Sequence, residues 1–349
     1  MPSQLPYIIC SGLLVLLNIA PLYWQFGQGN SGPIAMGVWV VIANLNEFVN
    51  AVVWFDNAAD RAPVWCDISV KLSLGEQVGR LAAVFCIARF LADIVSPRAT
   101  AMTRQDRRRR AIFDYSISFG VPILVMACHV IYQPNRYGIV RGLGCTFTQV
   151  MCWPALVLRI IWPPIFAVGG MLYSAYTVYR LVRHRRNFRR VVAGAHSALT
   201  TARFIRLAAL SISYLCIGGP LAFYSAVSYI ETSRRYTDYS WQYVHSAWKL
   251  EPVTINEKLY VADLSNWSNV IVGVIFFAAF GFGTEAMAAY ARVSRSLRLP
   301  RAFQKFVPAK ANPARSGRAT AGDHYRANLA EKGMQRGIKV VVEEEHGIV

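Results

Sequence analysis

Several ionisable side chains of this sequence stand inside long apolar stretches, where a charge needs a partner or serves a function. Glu76 and Arg80 are four residues apart with the acid first, so a helix would place them on one face in the favourable order for an ion pair. Glu47 and Lys71 belong to neighbouring apolar stretches, at depths that predict they meet. Such charges are suited to bind a polar ligand or to line the path of a transported solute, or they only neutralise each other and set packing.

A second charged pair stands at the other end of the same stretch as Glu76. Arg89 and Asp93 have the i, i+4 spacing in the less favourable order. We therefore expect Arg89 either to pair with Asp93 or to reach Glu285 in the last apolar stretch. Because an intracellular partner would bind at this end, Arg89 is a candidate switch residue.

The stretches that carry these charges are long enough to cross a membrane. The chain of 349 residues is 54% hydrophobic and only 16% charged, against about 25% charged residues in typical soluble domains. A bilayer core needs about 20 helical residues, and seven stretches approach or exceed that length, namely residues 5–26, 33–55, 68–95, 112–132, 153–179, 207–230 and 264–284. We predict an all-α integral membrane bundle of seven transmembrane helices over residues 1–290. Residues 291–349 are predicted to form a cytoplasmic, disordered tail.

The distribution of Lys and Arg predicts the orientation of the bundle. Of the 37 basic residues, 26 fall in the connections and tail on one side and seven on the other. Positive residues favour the cytoplasmic side, so we predict the N-terminus outside and the C-terminus inside. With only four residues before it and none of them basic, the first stretch is expected to act as its own insertion signal. The net charge of +18 is then a sign of a lipid bilayer rather than of nucleic acid.

Three cysteines are predicted to face the oxidising outer side: Cys66, Cys145 and Cys152. A bridge between Cys66 and Cys145 would hold the long second outer loop over the bundle, and we favour this pair. Cys152, at the start of the fifth stretch, is the alternative partner, because connectivity cannot be deduced from spacing alone.

Prolines interrupt three of the stretches. Pro122, the adjacent Pro163 and Pro164, and Pro220 after two glycines each remove a helical hydrogen bond and favour a kink. Kinks in the fifth and sixth stretches would let their inner halves move, so Pro163, Pro164 and Pro220 join Arg89 as candidate switch residues. The alternative is a static kink.

Two classes of seven-helix protein fit the sequence poorly. The last stretch has no lysine for a retinal Schiff base, which excludes a retinal protein. A transporter would more typically show inverted repeats, and no internal symmetry is apparent. A transporter with a substrate path along Glu47, Lys71, Glu76 and Arg80 is kept as the alternative function.

Several motifs resemble those of fungal mating-pheromone receptors of the a-factor receptor type, a class of G-protein-coupled receptors. The resemblance covers residues 6–292 and is carried by WCDIS at 65–69, LAAVFCIARFLADI at 81–94, QPNRYGIVRGLGC at 133–145, WPP at 162–164, RRNFRRVV at 185–192, SALTTARFIRLAAL at 197–210 and FFAAFGFGTEAMAAY at 276–290.

This resemblance implies a function. Such receptors bind a farnesylated, carboxymethylated peptide pheromone on the outside and activate a heterotrimeric G protein on the inside. We therefore expect a multi-pass plasma membrane receptor that is not an enzyme and has neither cofactor nor metal; a homodimer stays open. The sequence lacks the D/E-R-Y and N-P-x-x-Y motifs of rhodopsin-like receptors, so their switch mechanism should not be transferred.

Two sets of site residues follow. For the ligand we select groups at the outer ends of the stretches: Asn50, Trp54, Lys71, Arg159, Tyr229, Asp263 and Trp267. Aromatic residues in the last outer loop, 231–260, are suited to stack on a peptide and cover its lipid tail, or they form a membrane-interface belt. For the G protein we select basic residues of the inner loop that are mixed with apolar ones: Arg185, Arg186, Arg189, Arg190 and Arg203. Topology alone would also place arginines there.

Overall fold

The computed structural model of the chain describes residues 4–96, 103–183, 201–233, 239–246 and 253–282. Helices make up most of these ranges. They are α1 (Leu5–Gln28), α2 (Ser31–Val53), α3 (Pro63–Val95), α4 (Arg104–Tyr115), α5 (Val121–Cys128), α6 (Trp153–Ala155), α7 (Trp162–Arg183), α8 (Thr201–Ser233), α9 (Trp241–His245) and α10 (Leu264–Phe280).

Helical segments occupy each of the seven predicted stretches. Within the described ranges, five segments are long and apolar enough to cross a membrane, namely Leu5–Gln28, Ser31–Val53, Arg104–Tyr132, Trp153–Arg183 and Ala202–Thr232. The described part of the last stretch is shorter, and α3 contains six charged residues among its 33. The prediction of a mostly helical membrane protein is therefore supported.

Helix α3 forms the centre of the bundle. It packs against α2, α5, α7 and α8, and most of its residues from Leu74 to Val95 are buried. Because protein surrounds this part of α3, Glu76, Arg80 and Arg89 face other protein groups rather than lipid, whereas Asp93 is exposed. This position explains how one helix tolerates five ionisable groups between Lys71 and Asp93.

The irregularity predicted at Pro122 takes the form of a π-helical turn, Ser116–Gly120, between α4 and α5. Proline has no N–H to donate, so the carbonyl of Ser118 is free for another donor. The indole N–H of Trp39 on α2 donates to that carbonyl at 2.8 Å. Trp39 approaches closely because α3 has Gly79 opposite, where a Cβ would lie 2.3 Å from the indole ring.

The other two proline sites differ from each other. A second π turn, Leu156–Ile160, precedes α7, and Pro163 and Pro164 lie in the first turn of α7, where a missing N–H costs little. Helix α8 in contrast continues through Pro220 as one helix from Thr201 to Ser233. An irregular turn therefore marks the proline site before α7, whereas α8 stays helical through Pro220.

A three-stranded sheet covers one end of the bundle, which we call the capped end. Strands β1 (Tyr137–Val140) and β2 (Gly144–Thr146) form an antiparallel hairpin, and β3 (Val253–Asn256) pairs with β1 in parallel. The strands are too short for an alternating pattern to be visible in the sequence, so the all-α prediction misses them. Residues 133–152 and 231–260, predicted as two separate outer loops, thus meet in one sheet.

A disulfide fastens this sheet to α3. Cys66 at the start of α3 is bonded to Cys145 of β2, with Cα atoms 5.2 Å apart, and Cys152 is a buried free thiol. The predicted pairing is confirmed. Gly144 beside Cys145 has φ +82°, and a Cβ there would lie 2.6 Å from Asn50, so this glycine permits β2 to lie directly on α2.

Candidate functional site

A cavity of about 420 Å³ opens beneath the sheet and extends between α2, α3, α7, α8 and α10. Its volume falls in the range typical of small-ligand sites, roughly 300–1,000 Å³. The wall at the capped end includes Leu143, Phe147 and Tyr260. The lining combines polar side chains, among them Glu76 and Tyr214, with apolar ones such as Leu81 and Val272.

Five side chains from four helices form a hydrogen-bonded group on the cavity wall, which we call the cavity cluster: Tyr7, Glu47, Glu76, Arg80 and Asn269. The Tyr7 hydroxyl and the Asn269 amide both donate to Glu47. The Asn269 amide also donates to Glu76 at 3.2 Å, and Arg80 donates to the Asn269 carbonyl oxygen. Asn269 therefore connects both carboxylates to the guanidinium.

The cavity cluster contains more acid than base. The Arg80 guanidinium lies 3.7 Å from the Glu76 carboxylate, as the i, i+4 spacing predicts, while Glu47 supplies a second carboxylate. Glu76 Oε2 and Arg80 Nε are buried and have no hydrogen-bond partner among the described residues. Buried polar atoms of this kind are costly unless something else satisfies them. The cluster therefore contains one acceptor and one donor without a described partner, both closed off from the cavity in this arrangement.

Arg159 forms a second cationic point on the wall. It follows the WPA segment of α6 in the π turn Leu156–Ile160 and is 8% exposed. Its guanidinium donates to Gln149 and, at 2.9 Å, to Gln77 of α3, and it lies 4.2 Å from the centre of the Phe147 ring. The unusual backbone here turns a long basic side chain toward the cavity instead of toward lipid.

The structure brings three of the seven predicted ligand residues to the cavity wall: Asn50, Arg159 and Asp263. Asn50 receives a hydrogen bond from Trp65 and donates one to Ser69, both at 2.8 Å. Asp263 caps the N-terminus of α10 and accepts a hydrogen bond from the Tyr260 hydroxyl at 2.6 Å.

Two of the other four predicted residues support the capped end. Trp54 is fully buried beneath the sheet, with its indole N–H donating to the carbonyl of Ala59 at 2.9 Å. Tyr229 bonds the backbone of Cys152 through its hydroxyl, donating to the carbonyl at 2.9 Å.

The last two lie beside the cavity rather than on its wall. Trp267 packs its ring edge against Tyr7, with ring centres 5.6 Å apart. Lys71 lies on another side of α3, where its ammonium is 3.0 Å from the His129 ring and donates to Gln133 at 3.2 Å.

The predicted meeting of Glu47 and Lys71 is wrong. The two side chains lie at similar depth but face different ways. Lys71 faces His129 and Gln133, which follow α5, whereas Glu47 faces α1 and α10. Glu47, Glu76 and Arg80 share the cavity, whereas Lys71 does not line it. The set of four residues assumed for a transport path is therefore not contiguous.

The sequence analysis also missed two members of the cavity cluster, Tyr7 and Asn269. Both are uncharged, and attention to charged residues alone passes over them. A buried amide within an apolar stretch is nevertheless a signal, because Asn in a membrane helix seeks a partner on another helix. Asn46 and Asn269 share this pattern, and both line the cavity.

Tyrosines at the capped end keep their protons. Burial, together with the hydrogen bond to Asp60 at 3.0 Å, raises the pKa of Tyr137 to about 12. Burial and the bond to Asp263 likewise raise the pKa of Tyr260 to about 12. Outside the cap, the Asp67 carboxylate raises the pKa of Arg136 by a direct hydrogen bond. The tyrosine–aspartate hydrogen bonds at the capped end therefore persist throughout the physiological range of pH.

A second polar group lies at the end of the bundle opposite the sheet. We call Ser31, Arg89, Phe113 and Asp114 the Arg89 cluster. Arg89 pairs with Asp114 at 3.9 Å and lies 4.0 Å above the Phe113 ring, and the Ser31 hydroxyl donates to Asp114. These contacts connect α3 to α2 and α4.

The ion pair of Arg89 with Asp114 corrects the sequence analysis, which expected Asp93 or Glu285. Asp93 is exposed on the same helix, and Glu285 lies outside the described residues. Asp114 lies near the end of α4, is buried and faces Arg89 of α3, so the packing of the two helices brings the pair together.

The predicted G-protein contacts fall largely outside the described ranges. Arg185, Arg186, Arg189 and Arg190 lie between Arg183 and Thr201, whereas Arg203 is half-buried in the first turn of α8. Among the described residues, no group of three or more His, Cys, Asp or Glu side chains is arranged to hold a metal ion.

Comparison with known proteins gives consistent matches. Residues 6–299 match the family described as pheromone A receptor. The chain is 33% identical over 301 residues to the pheromone B alpha 3 receptor of Schizophyllum commune, which covers 82% of this chain and 47% of that protein. It is 31% identical over 289 residues to pheromone receptor 1 of Ustilago hordei, covering 79% of each.

A more distant relative is the pheromone a factor receptor of Saccharomyces cerevisiae, 27% identical over 301 residues, or 82% of this chain and 61% of the yeast protein. The chain spans about half the length of the Schizophyllum commune relatives that it matches.

Proposed function

This chain belongs to the pheromone A receptor family, and from this premise we propose that it is a plasma membrane receptor that binds a lipid-modified peptide mating pheromone and activates a heterotrimeric G protein. The seven helical segments would cross the membrane, with the capped end outside. The tail from residue 291 would lie in the cytoplasm.

One observation carries the ligand part of this proposal, the cavity of about 420 Å³ beneath a disulfide-fastened cap. Its wall offers two carboxylates of the cavity cluster and two guanidinium groups, from Arg80 and Arg159. It also offers an apolar region large enough to exclude water. A ligand with both peptide groups and hydrocarbon matches such a mixed wall.

The G-protein part rests on charge at the opposite end. The inner loop contains Arg185, Arg186, Arg189 and Arg190 close to apolar residues, a pattern suited to a helix that docks a protein. Arg203 continues this basic segment on α8. The Arg89 cluster lies at the same end and would hold α2, α3 and α4 together in the unliganded receptor.

The direct test is ligand-dependent nucleotide exchange. Membranes that contain the full chain and a fungal G-protein heterotrimer would be exposed to synthetic farnesylated peptides from compatible mating strains. We expect exchange to rise with the farnesylated peptide and to stay at its resting rate with the same peptide lacking the lipid. Solute uptake in these vesicles without exchange would contradict the receptor function.

The G-protein surface is tested by changing the four inner-loop arginines to alanine. We expect this variant to bind peptide and reach the cell surface but to lose exchange. The matched control removes four exposed arginines from the start of α4: Arg104, Arg107, Arg108 and Arg109. Loss of exchange in both variants would assign the effect to general inner charge instead of a docking surface.

A further inference from the structure

We propose that the end of the cavity farthest from the sheet holds the prenyl chain of the ligand, and that the cavity cluster holds the amide and ester groups of the modified cysteine. This inference rests on the proposed function and adds where each part of the ligand lies. The apolar floor, as we call this end, comprises Leu81, Ile160, Ile217, Leu221, Ala222 and Val272.

In three elements, a polar cavity residue is followed within one helical turn by an apolar one on the side away from the sheet. On α3, Leu81 follows Arg80, and in the π turn before α7, Ile160 follows Arg159. On α10, Val272 lies one turn beyond Asn269, about 4.5 Å deeper at the usual helical rise. Because all three elements run from the capped end inward, the change from polar to apolar occurs at one level.

The floor has the chemistry that a prenyl chain requires. These six side chains carry no hydrogen-bonding group, and a hydrocarbon placed against them loses no hydrogen bond to water. The Tyr214 phenol also lines the cavity, about one turn beyond Ile217 on α8. Ala222 is half-buried and leaves room that a larger side chain would fill. A polar peptide in the same place would leave its own amide groups unpaired, which is costly in an apolar site.

The level above the floor has the chemistry that the modified cysteine requires. Glu76 Oε2 is a buried acceptor without a described partner, and Arg80 Nε is a buried donor in the same state. Both residues line the cavity, so a small shift of their side chains would present the first atom to a peptide amide and the second to an ester or amide carbonyl. Arg80 directly precedes Leu81 on α3, and both line the cavity, so polar and apolar groups adjoin there as they do in a prenylated cysteine.

The alternative location for the prenyl chain is α9 at the capped end. Trp241 and Tyr243 of α9 are 54% and 64% exposed, and the sequence analysis assigned such loop aromatics to the lipid tail. Trp241 is already stacked on His245, with ring centres 3.9 Å apart. The two locations are far enough apart in sequence for a labelling experiment to distinguish them.

The first test uses a synthetic farnesylated peptide with a photoreactive group at the far end of its prenyl chain. After irradiation of membranes with the full receptor, we expect labelled fragments from the floor, around residues 217–222 of α8. Labelling of the cap around residues 241–245, or of the exposed face at Phe223 and Tyr224, would overturn the inference. If no prenylated peptide binds at all, the proposed function fails together with it.

The second test measures the length of chain that the floor accepts. Ala222→Leu adds bulk to the floor, and Ser228→Leu adds bulk to an exposed position of the same helix as its control. With Ala222→Leu we expect the concentration for half-maximal exchange to rise roughly tenfold for the farnesyl peptide and much less for the shorter geranyl peptide. Ser228→Leu should leave both values unchanged.

The result is read from the ratio of the half-maximal concentrations of the farnesyl and geranyl peptides, because general damage to folding raises both concentrations together. An equal rise for both peptides, or no change in Ala222→Leu, would contradict placement of the chain on the floor while leaving the receptor function intact.

Discussion

The cavity cluster and the Arg89 cluster both place charges among helices, but only the first lies on the wall of the cavity. In the cavity cluster, two carboxylates share one guanidinium and two buried atoms lack partners among the described residues. In the Arg89 cluster, the Asp114 carboxylate pairs with Arg89, interacts with Arg110 and accepts a hydrogen bond from Ser31, while Arg89 Nη1 has no hydrogen-bond partner among the described residues. Excess acid beside a cavity favours a binding site, whereas an ion pair between packed helices away from the cavity favours a fastening.

The sharpest way to break this comparison is to remove the cation from the cavity cluster. Arg80→Ala leaves Glu47 and Glu76 buried without a guanidinium, which we expect to cost about 3–5 kcal/mol of unfolding free energy. Denaturation of the purified receptor in detergent would measure this loss. The double variant Glu76→Gln, Arg80→Gln removes both charges and should recover more than half of it. Wild-type stability in Arg80→Ala would show that the two carboxylates do not depend on Arg80.

The second prediction concerns the connecting residues of the two clusters. Asn269→Ala leaves several groups of the cavity cluster unpaired and should lower stability by about 1–3 kcal/mol, the range for buried unsatisfied groups. Ser31→Ala removes one hydrogen bond from the Arg89 cluster and should cost only about 1 kcal/mol. The two variants are compared in the same denaturation assay. A larger loss of stability in Ser31→Ala than in Asn269→Ala would contradict the prediction that the cavity cluster depends more on its connecting residue.

The third prediction tests the fastening role directly. Asp114→Asn keeps the shape of the side chain but removes the charge that pairs with Arg89. If the pair favours the resting state by about 1 kcal/mol, exchange without ligand should rise about fivefold. Asp93→Asn, which removes an exposed acid near Arg89 that forms no ion pair with it, serves as the comparison and should raise resting exchange less. An equal rise in both would mean that the pair with Asp114 has no special role.

The smallest expected effect is the coupling between the clusters. Arg80 and Arg89 are nine positions apart on α3, about 13 Å along the axis. Stability losses of Asn269→Ala and Ser31→Ala should therefore add to within about 0.5 kcal/mol in the double variant. A markedly larger deviation, measured by the same double-mutant cycle, would show that α3 couples the two clusters.

The accuracy of the sequence analysis depended on how local each contact is. The Glu76–Arg80 pair was predicted because four positions on one helix fix the distance between two side chains. The Cys66–Cys145 bridge was predicted because few cysteines fall on the predicted outer side. The partner of Arg89 was not predicted, because Asp114 is 25 positions away and faces it only after α3 and α4 pack.

The sheet at the capped end shows the same limit. Strand β3 lies more than a hundred residues from β1, and their pairing joins two predicted loops. Three or four residues are too few for an alternating pattern, so no local signal marked either strand. The aromatic residues of the outer loop 231–260 can be read from the sequence, but whether they contact a ligand depends on how that loop folds.

The sequence by itself determined the seven helical stretches, the family and the local ion pair, since each depends on composition, motif or spacing within one segment. Only the tertiary structure decided which faces of the helices line the cavity. The reason is that lipid and protein core are both apolar, so hydrophobic pattern does not indicate how a membrane helix is rotated. Tyr7, Glu47 and Asn269 meet because three helices are rotated toward one another, and Lys71 is excluded by the same rotation.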